Sequence, residues 1–210
     1  MKTKTGRSQW ELRNEKNKAN VRWLFILAVT GYFAYVLKNG LVPAEGSAAY
    51  FNWSYIGALV SAYSLANAGI HFYLIRNDRA GKSLSPGVKY ITMLLDLVVV
   101  SLVIVPTGGE KSMFFLLYIV VIISNSMRYG IQAGIVCLVA LNFLYVGVLA
   151  FLHYPSLELP GLQMEILKIA GLWTVGIYIG YLSKRFETMQ GEVEKYRKIV
   201  MDLTGRQEKE

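Results

Sequence analysis

Residues 166–203 read ILKIAGLWTVGIYIGYLSKRFETMQGEVEKYRKIVMDL. The apolar run ends at Leu182, passes Lys184-Arg185, and gives way to Phe186, Met189, Val193, Tyr196, Val200 and Leu203. These six positions alternate in steps of three and four, the seam of a heptad repeat. Between them stand mostly Glu, Lys, Arg, Gln and Thr, as on the wetted flanks of a rod. No proline follows Pro160, so nothing forces a break between the two halves. The stretch predicts a last membrane helix that continues into water as a dimerisable coiled coil. Gly191 lies within the rod and costs about 1 kcal/mol of helix stability relative to alanine.

Five further apolar blocks precede it. The six together are Trp23–Leu37 (extending toward Val42), Trp53–Ile75, Tyr90–Val105, Met113–Met127, Ile131–Leu152 and Met164–Leu182. Their lengths approach what a bilayer crossing needs; the third and fourth are short, and either span with help from snorkelling flanks or, for the fourth and fifth, form one re-entrant hairpin. The composition agrees. The chain is 54% apolar and 17% charged, with mean hydropathy +0.37, against about 45–50% and about 25% in soluble domains. All five prolines, Pro43, Pro86, Pro106, Pro155 and Pro160, fall between the blocks. The expected fold is an all-α integral membrane bundle of six transmembrane helices.

The net charge of +8 is unevenly placed. Residues 1–22, 76–89, Arg128 and 184–210 hold 7, 4, 1 and 7 basic residues, 19 of the 22. Lys38 and Lys111 fall in the other loops, and Lys168 in the outer part of the last block. This is the positive-inside bias. It puts both termini in the cytoplasm and the basic clusters beside anionic headgroups, and it argues against nucleic acid as a partner. The expected organisation is a basic cytoplasmic segment (1–22), a six-helix membrane domain (23–182) and a cytoplasmic coiled-coil linker (183–210). The loops 38–52, 106–112 and 153–163 are too short for an extracellular ligand-binding domain. A stimulus must then act within the membrane, at a shallow cleft, or through a membrane partner.

Asp96 is the clearest anomaly. It lies in Leu94-Leu95-Asp96-Leu97-Val98, roughly 10–12 Å from the cytoplasmic end of its block. A carboxylate at that depth needs a partner, a proton or a wet cavity, and marks a functional site by default. Asn67 is the nearest polar match in depth, and an Asn67–Asp96 hydrogen bond would lower the cost. Arg128 and Tyr129 sit in the turn before Gly130, where Arg128 could dock on the output helix near Glu187. Small residues at Ala58/Ala62/Ala66, Gly130/Gly134 and Gly176/Gly180 allow close helix approach. The last pair, on the exit helix, reads as a dimer contact or a point of rotation.

Other chemistry is sparse. Cys137 reads as a small packing residue. His71 and His153 stand near opposite membrane faces and cannot share one haem. There is no zinc spacing, no Walker-type loop and no catalytic constellation. The expectation is a non-enzymatic chain with no evident cofactor.

Residues 90–150 resemble a known family. The order is Asp96 within an apolar span, then Pro106-Thr107-Gly108-Gly109, then Ser112-Met113-Phe114-Phe115, then a span closing on Arg128-Tyr129-Gly130. This looks like the N-terminal six-span sensor region of bacterial multi-pass sensor histidine kinases and diguanylate cyclases. Met113 stands where those proteins usually carry proline. The resemblance implies a bacterial inner-membrane input module, homodimeric, with Gly108 and Gly109 among its sensing residues. It also implies a signalling domain C-terminal to residue 210. Its stimulus would be intramembrane or membrane-proximal, with a small hydrophobic ligand among the options. Two other classes stay open: a small ion- or proton-coupled transporter using Asp96, and a membrane scaffold binding a partner through residues 184–210.

Overall fold

A computed structural model describes residues 6–40, 52–81, 85–153 and 161–207. Among these residues there is no strand. Five helices follow one another: α1 (Gly6–Lys38), α2 (Trp53–Arg79), α3 (Pro86–Ile104), α4 (Leu116–Leu152) and α5 (Leu162–Gln207). All five are long and apolar enough to cross a membrane. Their ends follow local chemistry. The Asn52 side chain caps α2 by accepting from the Tyr55 N–H at 2.7 Å. Pro86 opens α3, where its missing N–H is no loss. Pro106 follows just after α3 ends.

Where six separate spans were expected, the fourth and fifth are joined in α4. Only Gly130 leaves helical geometry, with φ 82° and ψ −178°. A straight helix would put Tyr118 and Tyr145 about 40 Å apart, yet their rings lie 6.0 Å apart. The chain therefore folds back at Gly130 into two antiparallel arms. Gly109 against Leu152, and Ser126 against Gly134, mirror each other about the same turn. A Cβ on Gly134 would strike the Ser126 side chain, and one on Gly109 would stand 2.5 Å from Leu152. Small residues let the arms close.

The other registers are also antiparallel between neighbours in sequence. Ser101 meets Tyr118 and Lys89 meets Tyr129, pairing α3 with the first arm. Tyr145 donates to Glu165 and Gly180 abuts Ile131, pairing the second arm with α5. The Thr107-Gly108-Gly109 corner that joins α3 to α4 is held by its hydroxyls. Thr107 Oγ1 donates to the Val103 carbonyl at 2.8 Å and bonds Ser112 Oγ at 2.6 Å. Gly108 (φ 109°) and Gly109 (φ 57°) supply the left-handed backbone of the corner.

Among the described residues a small apolar cluster joins Leu12, Ala19 and Leu74, and two large ones fill the bundle. One packs α3, both arms of α4 and Leu172 of α5, with Cys137 fully buried inside it. The other packs α1, α2 and the far half of α3 around Phe33, Ile56 and Val103. The buried face of α1 reads Leu12, Glu15, Ala19, Arg22, Ile26, Val29, Phe33 and Val36. That is an unbroken three-four stripe, and it begins far inside the segment expected to lie outside the bundle. Residues 12–22 instead form the first turns of a packed helix.

Helix α5 is a single helix of 46 residues, about 69 Å long, against a hydrocarbon core of about 30 Å. Gly176 and Gly180 face Leu138 and Ile131 of the same chain. The close approach they permit is used inside the molecule. Beyond Ser183 the helix leaves the bundle. Phe186, Met189, Val193, Tyr196 and Val200 are 49–69% exposed. Leu203 lies in the same helix, with its side chain outside the described set.

The Gly130 conformation is nearly reserved for glycine, and strain there is worth about 1–3 kcal/mol. Gly130→Ala should lower the thermal midpoint in detergent by about 2–4 °C per kcal/mol. Gly171→Ala, which meets nothing within 4 Å, is the control and should leave it unchanged or raise it, since alanine is the better helix former.

Candidate functional site

Asp96 lies near the middle of α3, only 12% exposed. Its carboxylate is met from two other helices. From α1, Arg22 approaches side-on, with Nε at 2.6 Å from Oδ1 and Nη2 at 3.0 Å from Oδ2. Lys18, one turn earlier on α1, places Nζ 3.0 Å from Oδ2. From α2, Tyr63 Oη donates to Oδ1 at 3.2 Å. Bidentate arginine–carboxylate pairs are the stronger kind of charged hydrogen bond. At this depth they replace the water that the carboxylate loses.

The cations are themselves held. Arg22 Nη2 donates to the Thr92 carbonyl at 3.1 Å. Lys18 Nζ donates to Asn125 Oδ1 at 3.1 Å, reaching the first arm of α4. It also lies 3.4 Å from Thr92 Oγ1, and that hydroxyl is 3.3 Å from Glu15 Oε2. Two carboxylates thus face two cations, and a third cation, Arg128, lines a cavity together with Lys18, Arg22 and Asp96. The cluster joins α1, α2, α3 and α4 through side chains from four helices. At the rim, Lys16 and Asp78 form an exposed pair at 2.6 Å.

Asn67 does not bond Asp96. Its Nδ2 donates to the Ala19 carbonyl of α1 at 3.1 Å, because Arg22, Lys18 and Tyr63 already occupy the carboxylate. Arg128 lines the cavity beside Asp96, and the Glu187 side chain, on which its docking to α5 was read, lies outside the described residues. Tyr129 stacks its ring under Lys89, with Nζ 5.4 Å from the centroid. Gly108 and Gly109 form the corner beyond the far end of α3, about 18 Å along the helix from Asp96, and do not join its site. Contact with α5 comes through the hairpin tip, where Ser183 Oγ donates to the Ser126 carbonyl at 2.7 Å. Asn125, the neighbour of Ser126, carries the Lys18 contact.

Glu15, Lys18, Arg22, Tyr63, Thr92 and Asn125 were not anticipated from sequence. The signal for the α1 residues was present. Glu15 and Arg22 continue the three-four stripe of Ile26, Val29, Phe33 and Val36 toward the N-terminus, so they share the inward face of the helix. No cluster of three or more His, Cys, Asp or Glu side chains suited to a metal occurs among the described residues. A second polar cluster stands on the other side of the membrane domain. There Lys168 pairs with Glu165 and lies 5.7 Å from the Phe115 ring.

No family model, no curated protein and no solved structure matches the chain.

Removing one partner of a buried ion pair strands the other, at about 3–5 kcal/mol. Asp96→Ala should lower the unfolding free energy in detergent by that amount. Asp96→Leu combined with Arg22→Met should recover most of it, leaving Lys18 to face Glu15. Equal losses in the single and double variants would show that the pair does not hold α1 on α3.

Proposed function

We propose that the chain is the transmembrane input and dimerisation module of a bacterial signalling receptor in the cytoplasmic membrane. In this reading the two arms of α4 are separate crossings. The chain then crosses six times, with both termini on the cytoplasmic side, as the basic residues favour. The observation that carries the proposal is α5, one helix rooted in the bundle and bearing an uncovered heptad stripe outside it. Apolar side chains at Phe186, Met189, Val193, Tyr196 and Val200 are poorly suited to water. A second copy presenting the same stripe would bury them as a parallel coiled coil.

The Asp96 cluster is the natural input. It reaches α5 by a short chain of contacts, from Lys18 to Asn125, along the hairpin tip to Ser126, and on to Ser183. A stimulus that changes how Lys18 divides between Asp96 and Asn125 would shift the tip on which α5 rests. Signalling needs only two packings within a few kcal/mol whose balance the stimulus alters. The rod would carry the shift to a catalytic domain joined C-terminally. Against a transport role, the Asp96 carboxylate is already engaged by two cations and a phenol, which leaves little capacity for a passing ion.

Each residue inserted after Gln190 turns the rod by about 100°. Residues 1–210 fused to a cyclase or kinase reporter should therefore lose or invert output with one or two inserted residues. Output should recover near three or four, when a full turn is restored. A flat response would refute the coupled rod. Dimer contact is tested separately in a Cys137→Ser background. Val193→Cys and Tyr196→Cys should cross-link in membranes, and Glu192→Cys and Lys195→Cys should not. Ser183→Ala should weaken the reporter response without abolishing the cross-links.

A further inference from the structure

Between α1 and the first arm of α4, above the Asp96 cage, the bundle encloses a cavity of about 120 Å³. Its polar end carries more cations than carboxylates, with Glu15 of the same cluster just behind the lining. Lys18, Arg22 and Arg128 face it, against the single carboxylate of Asp96. Arg22 spends Nε and Nη2 on Asp96 and Thr92. Its remaining nitrogen, Nη1, is buried with no hydrogen-bond partner among the described residues, and so is Nη1 of Arg128. The Arg22 side chain is only 4% exposed. A buried donor left unpaired is costly, and two guanidinium groups carrying such donors at the wall of one cavity suit the oxygens of an anion.

The other walls are apolar. Phe25, Val100, Leu117 and Val121 line the interior, and Val21 and Val120, 57% and 58% exposed, form the lip. Both lip residues belong to stretches long and apolar enough to cross the bilayer, so the mouth opens sideways toward lipid chains. A cavity of this size holds a head group and its first methylenes, leaving a longer chain to run out over the lip.

We propose that this cavity binds an anionic amphiphile, its phosphate or carboxylate oxygens on the guanidinium groups of Arg22 and Arg128 and its hydrocarbon chain between Val21 and Val120. Binding goes beyond the input-module reading, which concerns what α5 transmits. A silent reporter with binding intact would refute signalling alone, and the converse would refute this proposal alone.

The test uses the 210-residue chain in phosphatidylcholine nanodiscs, titrated with dodecyl phosphate, dodecanoate, dodecanol, dodecyltrimethylammonium and inorganic phosphate. A ligand that binds the native state raises the thermal midpoint saturably. Dodecyl phosphate or dodecanoate should do so, and the tighter of the two identifies a phosphate or a carboxylate head. Arg128→Gln, and independently Val120→Trp at the lip, should weaken the apparent affinity at least tenfold. The proposal is overturned if dodecanol stabilises equally, if inorganic phosphate alone saturates the effect, or if both variants bind as tightly as the parent chain.

Discussion

A carboxylate within the apolar third helix cannot be left alone, and the bundle is organised around how Asp96 is neutralised. Arg22 and Lys18 reach it from α1, Tyr63 from α2, and Asn125 of α4 steadies Lys18. Hydrophobic packing in a membrane interior is weakly directional, since lipid chains are as apolar as leucine. A bidentate arginine–aspartate pair is directional. It fixes the register of α1 on α3 to one turn, because a slip of one residue would carry Arg22 about 100° around its helix. Such a pair adds little net stability over well-packed apolar side chains. What it supplies here is a single alignment of four helices.

The rest of the bundle is set by close approach. The hairpin of α4 depends on Gly130 for its reversal and on Gly134 for contact between its arms. Helix α5 lies on the second arm through Gly176 and Gly180 and on the hairpin tip through Ser183. The tip is therefore shared. One side touches the ionic cluster and the other supports the helix that leaves the membrane domain. A displacement at Lys18 or Arg128 has a short path to α5, whereas the Thr107-Gly108-Gly109 corner lies at the far end of α3 and acts on the hairpin from its open end.

Much of the architecture was legible from hydropathy and spacing. Apolar blocks and the placement of prolines marked the helices, and the three-four spacing from Phe186 to Val200 marked the exposed stripe of α5. Asp96 announced itself as a charge without local company. The misreadings have a common source. Lys18 and Arg22 were counted with the basic leader because charge near a span end ordinarily faces headgroups. Arg22's position on the buried stripe of α1, with Lys18 buried beside it, mattered more than their charge. The Gly176/Gly180 pair permitted close contact without specifying a partner, and the partner is Leu138 and Ile131 of the same chain.

The sequence by itself determined that the chain is helical, that its helices are long and apolar enough for a bilayer, that α5 carries an unbroken heptad stripe, and that Asp96 required compensation. These are local properties, read from hydropathy, period and the absence of proline. The tertiary structure alone decided what compensates Asp96, since Arg22 lies 74 residues away. It also decided that Arg22 and Arg128 come to line one cavity, each with a buried nitrogen that has no partner among the described residues. Those outcomes depend on the mutual register of helices distant in sequence, which side-chain geometry sets and no single segment records.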